Sequence, residues 1–174
     1  PLADPRDTTA PLATRARSWL HINCAHCHRV SGGGSVPIFL NIETPTKQME
    51  LFGKPPTKGH FHLEDPALLQ PGRPYSSALY YRCASTGIGH MPMLGAKTLD
   101  TDGLQVVHDW IRSLGKSPSR PTPDIPRTPS DALHLAHLLD TGQVSPAQRK
   151  RILQAARRDA DPEILGILQR FDLE

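Results

Sequence analysis

The chain has 174 residues, a formal net charge of +3 and only 5% aromatic residues. This length holds one ordinary domain or two small ones, and the 18 prolines favour short elements joined by extended loops over one large core. The small net charge gives neither half of the chain the basic character of a nucleic-acid-binding domain. No apolar run reaches the length of a membrane span, so we expect no transmembrane segment.

The first predicted helix covers about residues 10–24 and leads into a C-x-x-C-H motif at residues 24–28. Two cysteines at this spacing with a histidine directly after them are typical of c-type haem attachment. Cys24 and Cys27 would form thioethers with the haem, and His28 would be the proximal iron ligand. A thioredoxin-like dithiol would need a βαβ setting, and a zinc site would need a second close Cys/His pair. The sequence shows neither, so the motif predicts one covalently bound haem c.

The second predicted helix, about residues 76–84, carries the third cysteine of the chain. Leu79, Tyr80 and Cys83 share one helix face at three- and four-residue spacing. An odd cysteine in an exported protein can pair with another chain or stay a free thiol. Because free cysteine is among the most buried residue types, we expect Cys83 to be a buried structural thiol.

A glycine-rich loop at residues 87–95 follows and carries the candidates for the second iron ligand. A methionine thioether binds soft ferrous iron and raises its potential relative to two histidines. The chain between His28 and Met91 is long enough to pass one haem edge and return on the other face. The glycines permit close approach to the cofactor, so Met91 is the preferred ligand, with His90 and Met93 as rivals.

The third predicted helix covers about residues 101–114, where apolar side chains recur at helical spacing. Residues 116–129 contain five prolines, which cannot continue a helix and favour an extended spacer. We therefore divide the chain into a haem domain at 1–115, a proline-rich linker at 116–129 and a small helical module at 130–174.

The segment 130–174 shows three short amphipathic helical patterns, each opened by a capping residue. The predicted caps are Ser130, Ser145 and Asp161, the last two followed by proline at the first helical position. Helices this short bury their apolar faces poorly on their own. We expect them to pack on the first domain or on protein that this chain lacks.

Several segments, in this order along the chain, resemble class I cytochrome c domains. They are residues 18–29, 40–45, 71–74, 90–95 and 109–114. More closely, residues 12–115 are similar to the cytochrome c modules of larger exported bacterial proteins of planctomycete type. The resemblance implies an all-α class I cytochrome c fold with long loops. The C-terminal segment weakly resembles HEAT-like helical pieces, which implies a small three-helix HEAT-like module after the linker.

The resemblance also implies roles for individual residues. His28 and Met91 would be the axial ligands, and Trp110 on the last helix of the haem domain would pack near the haem. The carbonyl of Pro37 would accept the second ring N–H of His28 and fix its orientation. The family often has a second proline after the ligand methionine, and this chain has Met93 there.

The expected function is single-electron relay between an acceptor and a redox partner protein or fused domain that this chain lacks. Such a domain performs no chemistry on a substrate and is not an enzyme by itself. The alternative is an open iron face, with the methionine bond weak or absent, for gas sensing or peroxide chemistry. Haem c is attached outside the bacterial cytoplasmic membrane, so we expect a periplasmic or other extracytoplasmic location after removal of an export signal.

Overall fold

The computed structural model describes residues 1–93, 98–158 and 161–171. Within them the chain forms the helices α1 Leu12–Cys24, α2 Ala78–Ala84, α3 Thr101–Ser113, α4 Pro129–Asp140, α5 Pro146–Arg158 and α6 Pro162–Leu168. Short 3-10 turns occupy Thr46–Gln48, Pro74–Ser76 and Gln169–Phe171. These ranges contain only isolated β-bridges and no sheet. The described chain is all-α, as predicted. Residues 94 and 95, the end of the predicted 87–95 loop, are outside the described ranges.

Helices α1 and α3 pack against each other, and Asp100 fixes their relative position. The Asp100 carboxylate caps α3 by accepting the Gly103 N–H at 3.0 Å. Its other oxygen accepts the indole N–H of Trp19, on α1, at 2.7 Å. A carboxylate at this position both satisfies a free amide of the first turn and complements the helix dipole. One side chain therefore begins α3 and joins it to α1.

Gly103 permits this packing, and Gly103→Ala is expected to destabilise the chain. A Cβ at this position would lie within 2.5 Å of Trp19 Cδ1. Because Gly103 is on α3 and Trp19 is on the packed helix α1, the overlap could be relieved only by moving the indole or separating the helices. Overpacking of this kind costs about 1 to 3 kcal/mol of unfolding free energy. Denaturant unfolding measures it, with Gly33→Ala as the control because a Cβ there meets nothing within 4 Å. Equal losses in the two variants would contradict the prediction.

The N-cap of helix α4 lies two residues before the predicted one. Thr128 is the N-cap, and its hydroxyl accepts the Asp131 N–H at 3.1 Å while the Asp131 carboxylate accepts the Thr128 N–H at 3.2 Å. This reciprocal pair is a capping box, and Pro129 between its two members occupies the first helical position. The prediction that Ser130 caps this helix is wrong. Ser130 lies inside α4, and its hydroxyl donates to the carbonyl of Tyr75 at 2.8 Å.

The other two predicted caps are confirmed. Ser145 accepts the Gln148 N–H at 3.2 Å, and the Gln148 side chain accepts the Ser145 N–H at 2.8 Å in return. The Asp161 carboxylate accepts the N–H of Glu163 at 2.8 Å and caps α6. Polar side chains at these positions satisfy amides that the first helical turn leaves free.

The C-terminal helices pack on the N-terminal part of the chain, as expected from their short length. Helix α4 contacts the Pro74–Ser76 turn on one side and α6 on the other. From the proline-rich segment, Arg120 reaches Glu64 of the N-terminal part and Asp131 of α4, each at 2.6 Å. The core is continuous from α1 to α6. None of the helices in the described ranges combines the length and hydropathy needed to cross a membrane.

Candidate functional site

The C-x-x-C-H segment lies in the tight turns that directly follow α1. The amides of Cys27 and His28 both donate to the carbonyl of Cys24, at 3.2 and 2.8 Å. The Gly34 amide then donates to the Cys27 carbonyl at 3.0 Å, which closes the loop back on the motif. These local bonds hold the two thiols and the imidazole on one short stretch of chain. The structure thus brings together the three residues that the motif predicts as haem-binding.

The two motif thiols differ in exposure. Cys24 is buried at the end of α1, whereas Cys27 is exposed. Burial, reinforced by the neighbouring Cys27 thiol, raises the pKa of Cys24 to about 12. Cys24 is therefore a neutral thiol at physiological pH and a weak nucleophile in the folded chain. Cys83 is also free and buried, as predicted, and burial raises its pKa well above the ordinary value.

His28 is half-buried, and the main chain at Gly34 packs closely against its ring. A Cβ on Gly34 would lie 2.8 Å from His28 Nδ1, so only glycine allows the loop to approach the ring this closely. Among the described residues, buried Nδ1 has no partner with hydrogen-bond geometry. Burial lowers the pKa of His28, and the nearby main chain of Val36 partly opposes this effect. The acceptor role of Pro37, one residue later, stays a prediction.

Arg82 of α2 is bonded to the methionine loop, and its charge also acts on His28. Its positive charge lowers the pKa of His28, after the larger effects of burial and the Val36 main chain. Its carbonyl accepts the Met91 N–H at 2.9 Å. The backbone of the predicted second ligand is therefore bonded to the residue whose charge acts on the predicted first ligand.

The three candidates for the second ligand have different surroundings. Met91 is half-buried, whereas Met93 has 78% of its surface exposed. The ring of His90 donates through Nδ1 to the carbonyl of Ser85 at 2.5 Å. This bond orients the imidazole toward the end of α2. Of the three side chains, Met91 combines partial burial with a backbone bond to Arg82.

Phe61 and two side chains of α2 hold the loop that carries Met91. The Phe61 ring stacks on Tyr81, with centroids 4.2 Å apart, and the Arg82 guanidinium lies 4.6 Å from its centroid. Arg82 Nη1 donates to the Gly89 carbonyl at 3.0 Å, and the Tyr81 hydroxyl donates to the Ile88 carbonyl at 3.0 Å. The Arg82 guanidinium is thus bonded to a carbonyl of the loop that carries Met91.

Exposed apolar side chains flank both predicted ligands. Among the described residues, six large apolar side chains are exposed, and four of them lie within three positions in sequence of the C-x-x-C-H motif or of Met91. They are Ile22, Val30, Ile88 and Met93, with exposures of 59, 75, 60 and 78%. Apolar surface gains about 25 cal/mol for each Å² removed from water, so such groups favour an apolar ligand or partner.

Trp110 lies in the core of the N-terminal part, 2% exposed, with its ring edge-on to Phe52 at 6.1 Å. Its predicted place beside a haem stays a prediction. Within the described ranges, His, Cys, Asp and Glu side chains do not converge in groups of three that could hold a metal ion.

A buried aromatic cluster that the sequence did not predict lies where α4 meets the N-terminal part. Tyr75 bonds through its hydroxyl to His108 Nε2 at 3.1 Å and stacks on His134 at 4.9 Å. The rings of His108 and His137 stack at 3.7 Å. His134 and His137 share a face of α4 by their three-residue spacing, which is the only part of the cluster that the sequence signals.

The chain was also compared with known proteins. No protein-family description, no curated protein and no solved structure matches it.

Proposed function

We propose that the chain is a c-type cytochrome that relays single electrons. Cys24 and Cys27 would hold one haem c covalently, and His28 and Met91 would be its axial ligands. When bound, the haem supplies one-electron redox chemistry at its iron. The observation that carries the proposal is the C-x-x-C-H motif, tightly turned at the end of α1, with the main chain at Gly34 packed closely against its histidine ring.

The residues present fit a haem in four respects. The ring of His28 is held against the backbone at Gly34. Cys27 is exposed on the same stretch of chain. Met91 is bonded to Arg82, whose charge acts on His28. Exposed apolar side chains close in sequence to both ligands are suited to contact the apolar faces of a porphyrin.

Each part of the site has its own task in this proposal. Cys24 and Cys27 bind the cofactor, and His28 orients it through a ring that Gly34 fixes in place. Arg82 and Phe61 hold the Met91 loop close to α2. Since the thiol of Cys24 is buried and protonated in the folded chain, covalent attachment would precede the packing of α1.

The proposal extends to fold, place and partners. The N-terminal part would have a class I cytochrome c fold, and α4–α6 would be a HEAT-like module. The protein would work in the periplasm or another extracytoplasmic compartment, where haem c is attached. Its electron donor or acceptor would be a redox protein or a fused domain, and we assign no reaction on a substrate to the chain.

The experiment is to produce the chain together with haem c maturation machinery and record its spectra. We expect a ferric far-red sulfur-to-iron band and a reduced protein that is indifferent to carbon monoxide. Haem should stay with the chain after denaturation in the wild type and in Cys83→Ala. It should be lost from the double variant Cys24→Ser/Cys27→Ser, which lacks both thiols.

Two other outcomes would change the proposal. Absence of any haem spectrum in the wild type would overturn it. A covalent haem with no sulfur band and a prompt carbon monoxide shift would replace the relay by the open-face alternative, gas sensing or peroxide chemistry.

A further inference from the structure

The loop that leads to Met91 is in direct backbone contact with α6. The Thr86 amide donates to the Gly166 carbonyl at 2.7 Å. A Cβ on Gly87 would lie 2.8 Å from Gly166 Cα, and a Cβ on Gly166 would lie 3.1 Å from Gly87 Cα. A side chain at Gly87 would force the loop and the helix apart, and one at Gly166 would press on Gly87 by a few tenths of an ångström.

Side-chain bonds surround this glycine contact. The Thr86 hydroxyl donates to the Gly166 carbonyl at 3.0 Å and accepts a bond from Gln169 Nε2 at 2.7 Å. Arg170 donates to the Ala84 carbonyl at 3.4 Å, at the end of α2. The end of α2 and the start of the loop are thus tied to α6 and to the turn that follows it.

A second bridge joins α6 to the Phe61 region. His62 Nδ1 lies 2.7 Å from the Glu163 carboxylate in the first turn of α6. His62 follows Phe61, whose ring lies against Arg82, the residue that bonds to Gly89. Helix α6 therefore contacts both the loop itself and the segment on which the loop rests.

The contact with α6 lies only a short distance along the chain from Met91. The His90 amide donates to the Gly87 carbonyl at 3.1 Å, which closes a tight turn between them. The next amide, that of Met91, donates to Arg82. Because these bonds constrain the few residues between Gly87 and Met91, a displacement of Gly87 would be transmitted to Met91.

We infer that α6 is a positioning element for Met91, so that ligation of the haem iron by Met91 and docking of α6 are coupled. This inference rests on the proposed haem function. A preordered ligand pays less conformational entropy when it binds, so a loop fixed by Thr86, Gly87 and Gly166 favours the ligated state. The coupling is reciprocal, because whatever releases the methionine must also weaken the docking of α6.

The test uses the full chain loaded with haem and two matched pairs of variants. Gly166→Ala presses on Gly87, whereas Gly142→Ala strains a left-handed turn after α4, with φ of +66° and nothing within 4 Å. Thr86→Val removes the hydroxyl bonds with little change in shape, whereas Thr86→Ser keeps them. Carbon monoxide competes with Met91 for reduced iron, so its affinity measures how well the loop is held.

We expect Gly166→Ala and Thr86→Val to raise the carbon monoxide affinity by about fivefold or more, within the usual range of coupling between sites. Hydrogen exchange at the Thr86 and Met91 amides should accelerate in the same two variants. Gly142→Ala and Thr86→Ser should leave both measurements at wild-type values. Met91→Ala, which removes the ligand, should accelerate exchange within Pro162–Leu168 relative to the wild type.

The outcomes separate this inference from the proposed function. A wild type with the sulfur band, but with carbon monoxide affinity and exchange unchanged in Gly166→Ala and Thr86→Val, would overturn the inference and leave the cytochrome proposal standing. Equal effects of Gly142→Ala and Gly166→Ala would reduce the result to general destabilisation and overturn it as well. If Gly166→Ala does not fold, the Thr86→Val and Thr86→Ser pair decides. A wild type without haem would overturn both proposals.

Discussion

Replacing Met91 with alanine is expected to abolish the far-red sulfur-to-iron band and to open the reduced protein to carbon monoxide. Met93→Ala should leave both properties as in the wild type. The two methionines stand two positions apart, but their surroundings differ. Met91 is half-buried and its amide is bonded to Arg82, whereas Met93 is 78% exposed. The reduction potential of Met91→Ala should fall, since a thioether favours ferrous iron.

The variants also discriminate between the rival ligands. Loss of the band in Met93→Ala with retention in Met91→Ala would move the ligand to Met93. Absence of the band in the wild type, together with a carbon monoxide response that appears only in His90→Ala, would instead implicate the imidazole. Carbon monoxide titration of the reduced proteins provides the second, independent measurement. A wild type that already binds carbon monoxide as readily as Met91→Ala would contradict ligation by Met91.

The sequence predicted the helices of the N-terminal part closely. Predicted helices at 10–24, 76–84 and 101–114 correspond to Leu12–Cys24, Ala78–Ala84 and Thr101–Ser113. Apolar periodicity identified them because each helix buries one face in the core. The predicted start of the second helix is two residues too early, because Pro74–Ser76 forms a 3-10 turn before the α-helix begins.

The local chemistry of the candidate site was also readable from the sequence, because it depends on short spacings. The C-x-x-C-H motif and the glycine-rich loop each lie within a few residues of chain. The sequence also contained the signal for the true cap of α4, which was wrongly placed at Ser130. Thr128 with Asp131 three residues later, and Pro129 between them, is the pattern of a capping box.

The contacts that support the site were not predictable in the same way. Gly87 and Gly166 carry no periodic signal, and their close approach follows from tertiary packing alone. The hydrogen bond from Arg82 to the Gly89 carbonyl likewise depends on where the loop lies in the folded chain. Positions far apart in sequence meet only after the helices have packed, and neither composition nor spacing records this.

The largest pH effect is expected below pH 6.5, where the free energy of unfolding should fall as acid is added. Burial lowers the pKa of His134 to about 4, helped by the charge of Arg120, and lowers that of His137 to about 3, helped by His108. Both histidines have ordinary values near 6.5 in the unfolded chain, so that state takes up protons first. Each pKa unit corresponds to about 1.4 kcal/mol, so the loss by pH 4 is on the order of several kcal/mol.

Other charges near the cluster modify this effect without reversing it. Asp131 raises the pKa of His134, Asp109 raises that of His137, and Arg112 lowers both. His62, whose pKa is raised by Glu163, contributes in the opposite direction, and that contribution is lost as the pH rises. Its side chain is 72% exposed, so solvent screening makes the contribution small.

Denaturant unfolding between pH 7.5 and about pH 4 measures the effect, with the double variant His134→Gln/His137→Gln as the comparison. The variant should be less stable than the wild type at pH 7.5, because its new amides disturb the stacked rings, but its stability should change much less with pH down to about pH 4.5. An unchanged slope would assign the acid sensitivity to other groups. Since α4 packs on α6, and α6 contacts the start of the Met91 loop, the wild type should also lose its sulfur band at a higher pH than the variant.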